Sequence, residues 1–308
     1  MSDYGYFAGG ESLPPPQPVA LTDSVVAPSA AHYPTIGRLG FTGSLRSGFQ
    51  LIPTCWSVLA AEPALLLVPL VVLVITVAMT AGYAGLEGGL GNLVTDNKYS
   101  TAVRVFPIAA LCSAVSSVGQ AVIVSAATER LQGRRPTLSS AWVTTLGQLP
   151  RLVYFGIVLA GERTLTSLLR GKRWSIGTLA ANTIDRAWDF ATYLVIPVIL
   201  FENLTVFGAV KRSGQLVASR WGTQLTARSV MSASLFLVSL PLLVLAVVLA
   251  AYSMTAGIGL LIVVVVLIVV ASSALNGVLS AAMYRFAVTG LVVPGFREAD
   301  MWAAFGRR

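Results

Sequence analysis

Five ionisable residues stand beside or within hydrophobic sequence: Glu162, Arg163, Asp185, Arg186 and Asp189. Glu162 and Arg163 follow the uncharged run 152–161, and Asp185, Arg186 and Asp189 precede the uncharged run 190–201. Asp185 and Asp189 are four apart, so a helix carries them on one face. An unpaired charge at mid-membrane costs about 2.5–3.5 kcal/mol on insertion scales, so such groups pair or turn towards a polar interior. The expectation is an inter-helix clamp with Arg163 in ion-pairing reach of Asp185 or Asp189. The alternatives are a relay for a proton or polar substrate, and simple exposure in the outer headgroup layer.

Two polar stripes accompany this cluster. One holds Ser113, Ser116, Ser117 and Gln120; the other holds Asn276, Ser280 and Tyr284 beside the small-residue line Ser273, Gly277 and Ala281. Small residues let helices approach closely, and amide side chains hydrogen-bond across them. These stripes are expected to be helix-packing seams, with a transport path as the alternative.

Catalytic constellations are missing. One histidine (His32) and two cysteines (Cys55, Cys112) build no metal site, disulfide framework or Ser-His-Asp triad. The stretch Gly85-Leu-Glu-Gly88-Gly89-Leu-Gly91 lacks the strand-to-helix setting and the Lys-Ser/Thr ending of a phosphate loop. Glu202 has no partner acid, base or metal proposed by the sequence, and its expected role is an ion pair with Arg134, Arg135 or the helix carrying Lys211 and Arg212. A non-enzymatic protein with no metal and no cofactor is expected.

The elements that must position these residues are transmembrane helices. Of 308 residues 55% are hydrophobic and only 11% charged, against roughly 25% charged in soluble chains, and mean hydropathy is +0.77. Uncharged runs of 24, 24 and 56 residues separate Glu62 from Glu87, Arg104 from Glu129 and Arg228 from Arg285. A span needs about 20 residues. Four spans follow at 63–85, 104–128, 229–251 and 258–284, the last two joined by a tight turn near Ser253. A weaker pair is expected at 149–168 and 183–203, with the charge cluster at its outer ends. Pro69, Pro107, Pro197 and Pro241 fall inside these spans, where each removes a backbone donor and favours a kink.

Lys plus Arg number 21 against 13 Asp plus Glu. With six spans the basic residues gather on the side of both termini, which the positive-inside rule places in the cytoplasm of a bacterial inner membrane. Arg46, Arg130, Arg134, Arg135, Arg151, Lys211, Arg212, Arg220 and Arg228 are expected to meet anionic lipid headgroups there. This placement accounts for the net charge of +8 without nucleic acid. Residues 1–37 hold no Lys or Arg and no apolar core of a signal peptide; their prolines describe a disordered cytoplasmic tail, and 291–308 a second tail.

Arg46-Ser-Gly-Phe-Gln50-Leu51 with Trp56 matches Lys211-Arg-Ser-Gly-Gln215-Leu216 with Trp221, and Ser125-Ala-Ala-Thr-Glu-Arg130 matches Ser280-Ala-Ala-Met-Tyr-Arg285. The first and last hairpins thus open and close alike, the signature of an internal repeat. The expected fold is all-α: six transmembrane helices as three hairpins, each preceded by a short cytoplasmic interfacial helix at 43–60, 137–149 and 205–221. In the third, Val206, Ala209, Val210, Leu216 and Val217 share an apolar side while Lys211 and Arg220 lie away from it. Such helices serve either a membrane interface or as caps on the bundle.

Trp56-x-x-Leu59, Glu129-Arg130-Leu131-Gln-Gly133, Val195-Ile-Pro197-Val-Ile-Leu-Phe-Glu202, Ala209-x-Lys211-Arg212-Ser213 and Trp221-Gly222 carry a resemblance over about 40–290. The chain resembles bacterial six-helix inner-membrane proteins of unknown function, stand-alone in actinobacteria or attached as the membrane domain of some glycerophosphodiester phosphodiesterases. With no hydrolase domain in this sequence, the resemblance implies a fold and no diesterase activity. The leading functional expectation is a scaffold or accessory subunit of a membrane or cell-envelope process, associated with lipids or other membrane proteins. The alternative is a permease for a small molecule or lipid, using the charged outer ends of spans three and four.

Overall fold

The computed structural model describes residues 64–95, 97–134, 137–170, 176–221 and 227–289. The two tails, the expected interfacial helix 43–60, Arg46 and Arg135 lie outside the described residues, as do the side chains of Arg186, Arg220 and Arg228. The described residues form helices and no strand: α1 (Ala64–Leu86), α2 (Leu90–Leu93), α3 (Lys98–Leu131), α4 (Leu138–Leu146), α5 (Leu149–Leu169), α6 (Ile176–Thr192), α7 (Val195–Glu202), α8 (Val206–Trp221), α9 (Ala227–Tyr252) and α10 (Met254–Thr289).

Among these, α1, α3, α5 and α10 are long and apolar enough to cross a bilayer, with a fifth span if the bent pair Asn182–Glu202 and Val206–Ala218 counts as one. Side chains such as Val74, Val77 and Val247 face outward at 59–70% exposure, a surface suited to hydrocarbon. These are the features of a membrane protein.

The central helix is α3, packed against α1, α5 and α10. Its 34 residues extend about 50 Å at 1.5 Å per residue. Asn97 starts it by accepting the Tyr99 N–H at 2.9 Å, satisfying one of the orphan donors of the first turn. The Lys98 ammonium donates to the Leu168 carbonyl at 2.7 Å, tying the start of α3 to the end of α5. Small residues make the contacts close. A Cβ on Gly156 of α5 would lie 2.4 Å from the Ala114 Cα, and one on Gly277 of α10 would lie 2.6 Å from Ile123. The segments 121–127 of α3 and 277–283 of α10 are buried throughout. Between α1 and α3 the glycine-rich stretch is a turn: Gly88 and Gly89 have φ of +80° and +125°, values that favour glycine.

Two details correct the sequence-based picture, and a third favours the capping alternative for the helix expected at 205–221. The span expected over 183–203 is two helices, α6 and α7, interrupted at Tyr193 and Leu194. Pro197 is the physical reason: it has no N–H for the carbonyl four residues back, that of Tyr193. The helix expected at 137–149 stops at Leu146, and α5 follows after Gly147 and Gln148 with Pro150 in its first turn. The apolar side of α8 faces protein: Val206, Ala209, Leu216 and Val217 are in the bundle core, so this helix caps the bundle, and Asn203 at φ +53° begins a turn of 118° into it. Pro69, Pro107 and Pro241, in contrast, lie inside helices that continue through them. The α9–α10 hairpin turns on Ser253 alone.

Candidate functional site

Residues 113, 116, 117 and 120 recur at helical spacing, which puts Ser113, Ser116, Ser117 and Gln120 on one face of α3. That face closes on its neighbours only in part. With Cys112 it forms one wall of a cavity of about 330 Å³, opposite Arg163 of α5, Asp189 and Thr192 of α6, Tyr193 at the break, and Asn276 and Ser280 of α10; Val124, Phe155, Leu159 and Ile196 complete the lining. Two members of the charge cluster, Arg163 and Asp189, meet the first polar stripe and Asn276 and Ser280 of the second in this chamber.

A second cavity of about 410 Å³ is lined by Glu162, Thr166, Ser167, Arg170 and Asp185, and also by Arg163 and Asp189. Those two charged residues therefore border both spaces. The expected pairing of Arg163 with Asp185 or Asp189 is corrected: among the described residues the ion-pair partner of Asp185 is Arg170, the C-cap of α5. The Thr166 hydroxyl donates to the Arg163 carbonyl at 3.2 Å. Successive helix positions differ by about 100°, so Glu162 lines the second cavity only while Arg163 reaches the border of both. Neither the Arg163 guanidinium nor the Asp189 carboxylate makes an ion pair within 4 Å among the described residues.

The break beside the chamber is held by two serines from other elements. The Leu194 N–H donates to Ser213 Oγ of α8 at 3.0 Å, and Ser280 Oγ of α10 donates to the Tyr193 carbonyl at 3.4 Å. Leu194 is buried and Tyr193 lines the chamber, so protein and a polar cavity take up the backbone that leaves the helix. Asn276 presents a buried Oδ1 with no hydrogen-bond partner.

Part of the expected seam is a seam. Gln120 Nε2 donates to Ser273 Oγ at 2.6 Å and to its carbonyl at 3.2 Å, joining α3 to α10. Gly277 meets Ile123, and Ala281 is buried. Ser117 Oγ donates to the Leu152 carbonyl of α5 at 3.2 Å. Gln120, Ser117 and Ser280 thus both pack helices together and line the chamber.

The other end of the bundle gathers the basic residues. Arg212 Nε donates to Glu202 at 3.0 Å, and the Tyr284 hydroxyl donates to the same carboxylate at 3.2 Å, with the Tyr284 ring stacked on Phe201. Of the partners expected for Glu202, the helix carrying Lys211 and Arg212 supplies the one found. Arg151 donates to Asn203 at 3.1 Å and to Gln148, Arg134 donates to Gln132, and Arg285 donates to the Leu131 carbonyl. Lys211 and Arg134 are exposed, and Arg130 is half-buried. No group of three or more metal-ligating side chains occurs among the described residues.

Sequence reasoning missed Arg170 as the partner of Asp185, the serine ties at the break and the Cys112, Thr192 and Tyr193 positions in the chamber. Pro197, four residues after Tyr193, was the available signal for the break. The pairing of Arg170 with Asp185, 15 residues apart across a hairpin, has no local signature.

Apolar spans around a polar, charged cavity define a multi-span helical membrane protein. A family of unknown function (DUF6159) matches residues 103–294, and the chain belongs to that family. The matched stretch contains every residue lining the chamber. No curated protein and no solved structure matches the chain.

Proposed function

We propose that this protein is a permease-type membrane protein that takes a small polar solute into the chamber between α3, α5, α6 and α10. One observation carries the reading: residues of five helices line a single cavity with polar and charged walls, and it shares Arg163 and Asp189 with a second cavity towards the Arg170 end. Ligand sites occupy about 300–1,000 Å³, so a volume of about 330 Å³ suits a small solute better than a lipid. A broken helix beside the cavity supports it, because discontinuous helices recur at transporter binding sites.

The accompanying topology has six spans in three hairpins: α1 with α3, α5 with the α6–α7 pair, and α9 with α10. Both termini and the end carrying Arg130, Arg134, Arg151 and Lys211 face the cytoplasm of a bacterial inner membrane, with exposed Lys211 and Arg134 near anionic headgroups. On α4, Trp142, Val143 and Leu146 are exposed and lie in the interface as the amphipathic lead-in of the second hairpin. The matched words 125–130 and 280–285, at the corresponding ends of α3 and α10, are read as an internal repeat. Kinship with the membrane domain of glycerophosphodiester phosphodiesterases belongs to the same reading.

The test uses Cys112, which lines the chamber. Protein in proteoliposomes is treated from each side with a membrane-impermeant cationic thiol reagent, and peptide mapping separates Cys112 from Cys55. A permease gives modification of Cys112. A scaffold with a dry bundle leaves it unreactive from both sides while co-purifying with a stoichiometric partner.

A further inference from the structure

Arg163 and Asp189 border the same two cavities without forming an ion pair. Both residues are exposed and so open to solute, and two opposite charges that border the same cavities and stay apart offer a place for a ligand of both signs. A third group points the same way. Asn276 Oδ1, at the α10 wall, is a buried acceptor with no donor, and a buried unsatisfied acceptor is costly unless a ligand or water supplies the hydrogen. The chamber therefore presents a guanidinium to an anionic group, and a carboxylate and a buried amide oxygen to a set of N–H donors.

Resting on the permease reading, we infer that the chamber binds a small zwitterion of amino-acid type. Its carboxylate accepts from Arg163 and its ammonium donates to Asp189 and Asn276 Oδ1. A monovalent anion would leave Asp189 unmatched, and a monovalent cation would leave Arg163 unmatched. A neutral polyol would answer neither charge. The hydroxyls of Ser113 and Ser116 donate or accept as the ligand requires, and Thr192 Oγ1, which donates to the Trp188 carbonyl at 2.7 Å, accepts, which suits the three to a head group carrying both functions. The apolar part of the lining, Phe155, Leu159 and Ile196 among it, receives a short side chain.

The experiment follows Cys112 modification in the purified full-length protein, with peptide mapping, in the presence of added solutes. The probes are the common L-amino acids and glycine betaine, against sodium acetate, ethylammonium chloride and ethylene glycol at equal concentration. The expected result is that at least one zwitterion slows modification by about tenfold at ten times its dissociation constant, by mass action, and that the single-charge and neutral probes do not. The double variant Arg163→Gln with Asp189→Asn loses that protection while Cys112 stays reactive, which shows that the chamber persists. Equal protection by acetate, ethylammonium or ethylene glycol overturns the zwitterion and leaves the permease reading standing. So does a reactive Cys112 that no zwitterion protects. A Cys112 unreactive under every condition removes both.

Discussion

Ser280 Oγ and the Tyr193 carbonyl lie 3.4 Å apart, and that hydroxyl donates to the carbonyl at the helix break. Pro197 cannot serve this carbonyl, and Leu194, next in the chain, sends its N–H to Ser213 Oγ at 3.0 Å. Two side chains from α8 and α10 therefore replace the backbone bonds that the α6–α7 break gives up. Ser213 is fully buried, so Ser213→Ala leaves a buried donor unsatisfied and is expected to cost about 1–3 kcal/mol. Ser280→Ala removes a longer bond, and is expected to cost about 0.6 kcal/mol, the average for such contacts in membranes. Denaturant titration in mixed micelles ranks the two, and an equal or reversed order removes Ser213 as the main tie.

At Gly156 the effect is steric. A Cβ would lie 2.4 Å from the Ala114 Cα and 2.5 Å from its backbone N, and backbone gives way less readily than a flexible side-chain end. Gly156→Ala is expected to separate α3 from α5 and cost about 1–3 kcal/mol. Gly161, on the same helix with nothing within 4 Å, accepts alanine with no loss. Thermal denaturation of both variants in one detergent makes the comparison.

The two aspartates of α6 part company despite their i, i+4 spacing. Asp185 is engaged by Arg170, whose side chain is 55% exposed against 24% for the aspartate. Solvent screens such a pair, so Asp185→Asn is expected to cost within about 1 kcal/mol and to leave access to the chamber unchanged. Asp189→Asn removes a carboxylate from the cavity wall, is expected to leave stability unchanged within about 0.5 kcal/mol, and alters the rate of Cys112 modification by a cationic reagent. Parallel stability and thiol-reactivity measurements on both variants decide it. A change in reactivity confined to Asp185→Asn would reverse the assignment.

These cases mark what local sequence carries. Apolar runs bounded by charges set the helices α1, α3, α9 and α10, because burial in hydrocarbon demands length and apolarity along one continuous segment. The tight turn is legible at Ser253 for the same reason. The α6–α7 break was half legible: Pro197 signals a lost bond, but the serines that replace it are 16 residues onward and on α10. The chamber was not legible as a chamber. Polar residues at helical spacing read alike whether their face meets a helix or a void, and that difference depends on how far neighbouring helices approach. Gly156 on Ala114 and Gly277 on Ile123 set those approaches, from positions whose sequence context resembles many others in the spans.

Gln120 and Asn276 belong to the same expected seam and are predicted to behave oppositely. Gln120 Nε2 holds Ser273 by its hydroxyl at 2.6 Å and by its carbonyl at 3.2 Å. Gln120→Leu loses both bonds and leaves the Ser273 hydroxyl without that donor, at an expected cost of about 1–2 kcal/mol. Asn276 Oδ1 has no partner to lose. Asn276→Leu removes a buried unsatisfied acceptor and adds an apolar side chain of similar size to a lining that already holds Phe155, Leu159 and Ile196. Its expected effect is unchanged or higher stability together with slower modification of Cys112, because the cavity becomes drier. Loss of stability in Asn276→Leu equal to that in Gln120→Leu would make the whole stripe a packing seam and take the chamber's α10 wall out of the functional site.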